Sequence, residues 1–195
     1  MKKILFLAVV VLMSASAAFS QTSFGLKAGL NLANLTNNGG DADMKPSVYA
    51  GGFMEYRISE FFGISPELLY SRQGFHAEDS GVKMNLRLNY INVPVLAKFY
   101  IAEGLSADLG PQVGFMLDSE VWAKANGQTA TWDIPNELMP FEMNSVDVSF
   151  AIGLSYNIGG FVVQGRYNLG LSDVAKDDDG HSKNSVIQLG VGYRF

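Results

Sequence analysis

Only two imidazoles occur in this 195-residue sequence, and each has hydroxyl and carboxylate neighbours. His76 precedes Asp79 and Ser80; His181 follows Asp177, Asp178 and Asp179 and precedes Ser182. A serine nucleophile needs a base within hydrogen-bond reach and a third group to orient that base. These residue types supply the parts, but neighbours along a loop do not supply the geometry. Both groups therefore read as solvated outer-loop residues, and the chain reads as a non-enzyme. Asp177-Asp178-Asp179-Gly180 has the composition of a calcium loop, yet Ala175 stands at the first ligand position and no glutamate occupies the twelfth. It reads as a solvated charge run. The absence of cysteine excludes disulfide frameworks, thiolate metal sites and cysteine nucleophiles. No cofactor or metal is called for.

A second set of reactive side chains is scattered rather than clustered. Lys27, Arg57, Lys98, Arg166 and Arg194 lie on the polar side of alternating segments, as do Glu55, Glu67, Asp108 and Asp147. If that side faces an interior, each charge left unpaired costs several kcal/mol, so a mutually paired network is expected. Arg166 or Arg194 is expected to pair with one of the acids. Lys98, four residues after Pro94, reads as an ion-pair partner rather than an anion-binding lysine. A narrow ion path lined by the same residues is the functional alternative. The third set is aromatic: Trp122, Trp132 and Phe141 lie in an irregular stretch, Asp118–Ser145, far longer than ordinary connections. Such rings could contact a partner or pack over a barrel mouth.

The elements that position these residues are strands. Ile187, Leu189, Val191, Tyr193 and Phe195 alternate with Gln188, Gly190, Gly192 and Arg194, a period of two. Val146–Ile158 and Phe161–Leu171 repeat the pattern around Gly159-Gly160, and four earlier segments follow it from Phe24, Val48, Phe62 and Leu105. An eighth strand, roughly Lys83 to Tyr100, changes phase near Tyr90-Ile91, which predicts a bulge. Strands of nine to eleven residues suit a tilted membrane crossing. Short links at 59–61, 101–104 and 159–160 alternate with mostly longer polar ones at 33–46, 76–81, 118–145 and 172–183, the pattern of an antiparallel outer-membrane barrel.

Ahead of the strands, Lys2 and Lys3, an apolar run from Ile4 to Met13, small residues from Ser14 to Ala18 and the cleavage pattern Ala18-Phe19-Ser20 have the order of a secretory signal peptide. Residues 1–20 are expected to be removed, leaving 21–195 as one barrel domain. With 48% hydrophobic and 17% charged residues, 21 glycines and a net charge of −5, the chain does not read as a nucleic-acid binder. A water-facing surface of this many strands would carry more Lys and Glu than the Gly-, Ser- and Asn-rich polar side does. The apolar side is therefore expected to face lipid, with Phe62, Tyr70, Tyr100, Phe161 and Phe195 as girdle aromatics. A secreted lipocalin-like barrel with an apolar pocket is the opposite reading of the same alternation.

Asn89-Tyr90-Ile91-Asn92-Val93-Pro94-Val95-Leu96-Ala97-Lys98-Phe99-Tyr100, Gly110-Pro111-Gln112-Val113-Gly114-Phe115 and the closing Gly190-Val191-Gly192-Tyr193-Arg194-Phe195 resemble the small PorT-like outer-membrane β-barrel proteins of Bacteroidota. The resemblance spans essentially all of the chain after the leader. It implies residence in the outer membrane of a Gram-negative cell and delivery by the barrel-assembly machinery, with Tyr193 and Phe195 as the assembly signal. The namesake is implicated in type IX secretion; the resemblance implies no catalytic residues. The expectation is an all-β, eight-stranded antiparallel up-and-down transmembrane barrel. Its partners are outer-membrane lipid, the assembly machinery, and an envelope or secretion-system protein reached through extracellular loops, in envelope integrity, adhesion or secretion assembly. A narrow porin-like channel is the competing function.

Overall fold

The computed structural model describes residues 22–36, 45–79, 82–125, 128–133, 146–172 and 183–195. Nine strands follow in chain order: β1 (Thr22–Thr36), β2 (Lys45–Arg57), β3 (Phe62–Asp79), β4 (Val82–Ala102), β5 (Leu105–Ala125), β6 (Gln128–Asp133), β7 (Val146–Ile158), β8 (Phe161–Gly170) and β9 (Lys183–Arg194). Eight of them close a ring, β1-β2-β3-β4-β5-β7-β8-β9, with every pairing antiparallel. The β1–β9 ladder, from Gly25↔Arg194 to Thr36↔Lys183, seals the first strand to the last and leaves no edge in the wall. The eight-stranded barrel expected from the alternation is the fold. The leader at 1–20 lies outside the described residues.

The faces fall as the lipid-facing reading requires. Leu26 and Val191 are each 63% exposed and Leu154 is 55% exposed on the outer wall, whereas Asn31 and Gln188 on the inner wall are fully buried. Water would make this arrangement costly, at roughly 25 cal/mol per Å² of apolar surface; a bilayer makes it favourable. The inside-out alternative, an apolar pocket within a soluble barrel, is excluded by the direction of the side chains.

Three tight turns, 58–61, 103–104 and 159–160, gather at the end where β1 begins and β9 stops. Gly159 and Gly160 have φ of 55° and 106°, two consecutive left-handed residues as a type I′ hairpin requires, so glycine is needed there for conformation alone. Phe62 meets Phe99 at a tilt with centroids 5.3 Å apart, and Phe161 meets Tyr193 edge-on at 5.2 Å, so this end carries an aromatic girdle. Tyr100 does not join it. The lumen-facing parity of β4 turns its ring into the mouth, where its hydroxyl donates to Glu55.

Three further expectations are corrected. The eight wall strands run from 10 residues in β8 to 21 in β4 and β5, the longest of them well beyond a membrane crossing. At ~3.3 Å per residue a 21-residue strand is about 70 Å long, against an apolar band of about 25 Å even allowing for tilt. The 118–145 stretch is not simply a loop, because β5 continues through it to Ala125 and hairpins into β6. His76 sits within β3, in register with Asn85, and the 76–81 link shrinks to the residues between Asp79 and Val82. The register shift falls between Asn89 and Tyr90 as anticipated, but Leu117 on β5 is the extra residue: Asn89 faces Asp118 and Tyr90 faces Met116, while the β3–β4 ladder keeps one register past the same point.

Candidate functional site

The inward positions of eight strands meet in a bore that side chains can fill, and here they do. At mid-barrel the β3 carboxylate of Glu67 is shared by two cations. Arg166 of β8 donates from Nη1 and Nη2 to its two oxygens, both at 2.9 Å, and Lys27 Nζ of β1 lies 2.6 Å from Oε1. Lys27 also donates to Gln164 Oε1 at 2.9 Å and lies 5.5 Å from the centre of the Phe53 ring. The fork geometry of arginine matches a carboxylate bidentately, which ties β8 to β3 across the bore.

Nearer the turns lies a second cluster. Lys98 Nζ is 3.3 Å from Asp108 and 3.6 Å from Glu55. Asp108 accepts from Ser106 Oγ at 2.9 Å and from Ser155 Oγ. Glu55 accepts from Tyr100 Oη and from Arg194 Nη1, each at 3.0 Å. Among the fully buried members, Lys27, Lys98 and Arg166 face Glu55, Glu67 and Asp108. This one-to-one balance is what permits so many charges in a dry site. Above them, Gln188 Nε2 donates to Asn31 Oδ1 and Asn31 Nδ2 to Ser71 Oγ, both at 2.9 Å, and Gln112 Nε2 donates to Ser149 Oγ at 3.1 Å.

Two of the nine charged residues lie elsewhere. Arg57 is exposed on the rim, donating to the backbone oxygens of Ser59 and Glu60 with its guanidinium 4.1 Å from the Tyr100 ring centre. Its strand ends there, so the inward position no longer has a wall opposite. Asp147, at the start of β7, accepts from Ser172 Oγ at 2.7 Å near the opposite mouth. Arg194 is between the two cases, paired with Glu55 yet 32% exposed.

The alternation also hid apolar occupants of the lumen. Tyr49, Phe53, Leu69, Tyr90 and Leu96 are buried on the inner wall, among the polar clusters rather than facing lipid. Glycines on the adjoining strand β1 make the room: a Cβ at Gly29 would collide with the Tyr49 ring and one at Gly25 with the Phe53 ring, while Gly190, one strand further on in β9, leaves space for Tyr49 Oη. Pairing a large inward ring with an inward glycine one strand away is the signal that could have located them. Tyr100, which serves both Arg57 and Glu55, was legible only once the parity of β4 was known.

Among the described residues, no group of three or more His, Asp or Glu is placed to hold a metal ion. His181 and Asp177, Asp178 and Asp179 lie outside the described residues, as does Phe141. Trp122 and Trp132 fall on β5 and β6, in register with Thr131 and Val121 respectively. Tyr193 and Phe195 are exposed on the outer wall at the barrel seam, where Phe195 N donates to Phe24 O at 2.8 Å.

A closed antiparallel barrel of this kind has counterparts among known proteins. Residues 18–176 match the family described as outer membrane protein beta-barrel domain. The chain belongs to this family. It is an outer-membrane protein, and by the convention of such barrels its tight turns and both strand termini face the periplasm. Among solved structures, Ail, the attachment invasion locus protein of Yersinia pestis, is 19% identical with a TM-score of 0.54, over 90% of this chain and 99% of that one. Neisserial surface protein A is 15% identical with a TM-score of 0.57, over 89% and 99%. Ail has also been solved with the heparin analogue sucrose octasulfate, in a form 20% identical to this chain with a TM-score of 0.51, over 90% and 99%. At these identities the likeness is one of fold. No curated protein matches the sequence.

Proposed function

We propose that the protein is a non-enzymatic barrel that acts through its extracellular side, in envelope integrity, adhesion or the assembly of a secretion apparatus, and that it is related to the PorT-like proteins of Bacteroidota. The carrying observation is the contrast between a lumen filled by ion pairs and buried rings and a set of strands, β3 to β6, that overruns the apolar belt on the far side from the turns. A filled bore leaves the protruding surface as the part able to meet a partner. Ail is named for attachment and has been crystallised with a polyanionic heparin analogue, which favours adhesion among the three roles. The leader at 1–20 directs export, and Tyr193 with Phe195 presents the signal read by the assembly machinery.

The test replaces 118–145 with a short turn, preserving the β5–β7 ladder, which ends at Phe115↔Val146. Heat-dependent gel mobility verifies that the shortened barrel folds. Cells carrying it should match a deletion strain in adhesion and envelope-resistance assays; behaviour like wild type would remove the surface reading. The channel alternative is tested in planar bilayers, where the occluded lumen predicts no discrete conductance steps.

A further inference from the structure

The periplasmic mouth holds three charges, Arg57, Glu60 and Glu103, that the lumen network does not use, beside Arg194, which it uses in part. Two adjoining concavities, of about 600 and 460 Å³, share Arg57, Glu60 and Arg194; the second also reaches Glu103 and Ile101. Arg57 makes no ion pair among the described residues. It is held by two backbone carbonyls and the Tyr100 ring, so its orientation is set while further guanidinium donors stay unused. Glu60 and Glu103 also make no ion pair among the described residues. A fixed guanidinium suits a phosphate, and two nearby carboxylates suit an ammonium. Apolar side chains are exposed around it: Ile58, Phe61 and Ile101, in and beside the 58–61 and 103–104 turns, are 46%, 69% and 63% exposed. This places acyl-chain contacts beside a site for a zwitterionic phosphate ester.

We propose that the rim between the 58–61 and 103–104 turns binds an ethanolamine-type phospholipid of the inner leaflet. The headgroup folds over the rim, with its phosphate on Arg57, assisted by Arg194, and its ammonium between Glu60 and Glu103. An anionic glycerol headgroup satisfies the arginine but leaves the two carboxylates facing no cation, so the site discriminates between the two lipid classes. This inference does not depend on what the extracellular side does.

The experiment is native mass spectrometry of the full barrel released from nanodiscs containing equal amounts of phosphatidylethanolamine and phosphatidylglycerol with identical acyl chains. Wild type should retain one phosphatidylethanolamine in clear preference to phosphatidylglycerol. Arg57→Gln should lose the retained lipid, whereas the double variant Glu60→Gln/Glu103→Gln should keep a lipid and lose the preference. Each variant is first checked for wild-type heat-dependent gel mobility, since all three positions lie at the rim. Addition of soluble O-phosphoethanolamine should leave the retained lipid in place; its displacement would assign the site to a free phosphate ester and overturn the lipid assignment. Equal retention of both lipids by wild type, or undiminished retention by Arg57→Gln, would overturn the proposal.

Discussion

Replacing Glu67 by Gln should be among the most damaging single changes in the barrel, although it removes no volume and only one charge. Among the described residues the carboxylate is the one counter-ion of both the Arg166 fork and Lys27, at 2.9 and 2.6 Å, and all three side chains are buried. An amide can accept from one cation but cannot balance either. Breaking a buried pair by removing one partner costs about 3–5 kcal/mol, and at about 1.4 kcal/mol per decade this lowers the folded-to-unfolded ratio by a factor of hundreds or more. Lys27→Met should be much milder, because Arg166 and Glu67 remain a complete bidentate pair. The triple variant Lys27→Met/Glu67→Leu/Arg166→Met should recover most of the loss, since a packed apolar isostere of a buried ion cluster is often neutral. Reversible urea unfolding in lipid vesicles, followed by tryptophan fluorescence and by heat-dependent gel mobility, measures all three. A Glu67→Gln barrel within about 0.5 kcal/mol of wild type, the range of ordinary surface substitutions, would refute the idea that this carboxylate holds the lumen together.

Other consequences follow from the packing. Gly190→Ala forces a methyl group into Tyr49 Oη and should cost about 1–3 kcal/mol; adding Tyr49→Phe, which removes that oxygen, should return part of it in the same unfolding assay. Tyr100→Phe loses one hydrogen bond to Glu55 and should cost about 1–2 kcal/mol. Tyr100→Ala also removes the ring under Arg57 and should cost more, with the difference read from parallel denaturation curves. Phe195→Ala should lower the amount of heat-modifiable barrel recovered from cell outer membranes, while refolding of the purified chain into vesicles stays near wild type. Equal losses in both settings would make Phe195 a structural residue rather than an assembly signal.

Much of this protein is legible in its sequence. Strict alternation in β1, β7, β8 and β9 made strands certain, because side chains on a pleated chain must point to opposite sides. The paucity of charge on the polar side, set against an unbroken apolar one, gave the direction of the faces and hence the membrane. Gly159-Gly160 marked its turn through backbone conformation alone. What alternation cannot carry is register and distance. Lys27, Glu67 and Arg166 lie on β1, β3 and β8, and nothing local to any of them says that closure of the ring brings the three to one point. The same limit hid β6, since Gln128–Asp133 becomes a strand only by pairing with an overlong β5. It also concealed the rings that fill the bore. Tyr49 can face inward beside polar neighbours because Gly29 and Gly190 stand on the strands around it, a relation set by the closed ladder rather than by sequence proximity. The rim site at Arg57 has the same origin. Its cation is identifiable in the sequence, but that it meets no counter-ion among the described residues depends on where β2 ends and which turn lies opposite, and only the closed barrel fixes both.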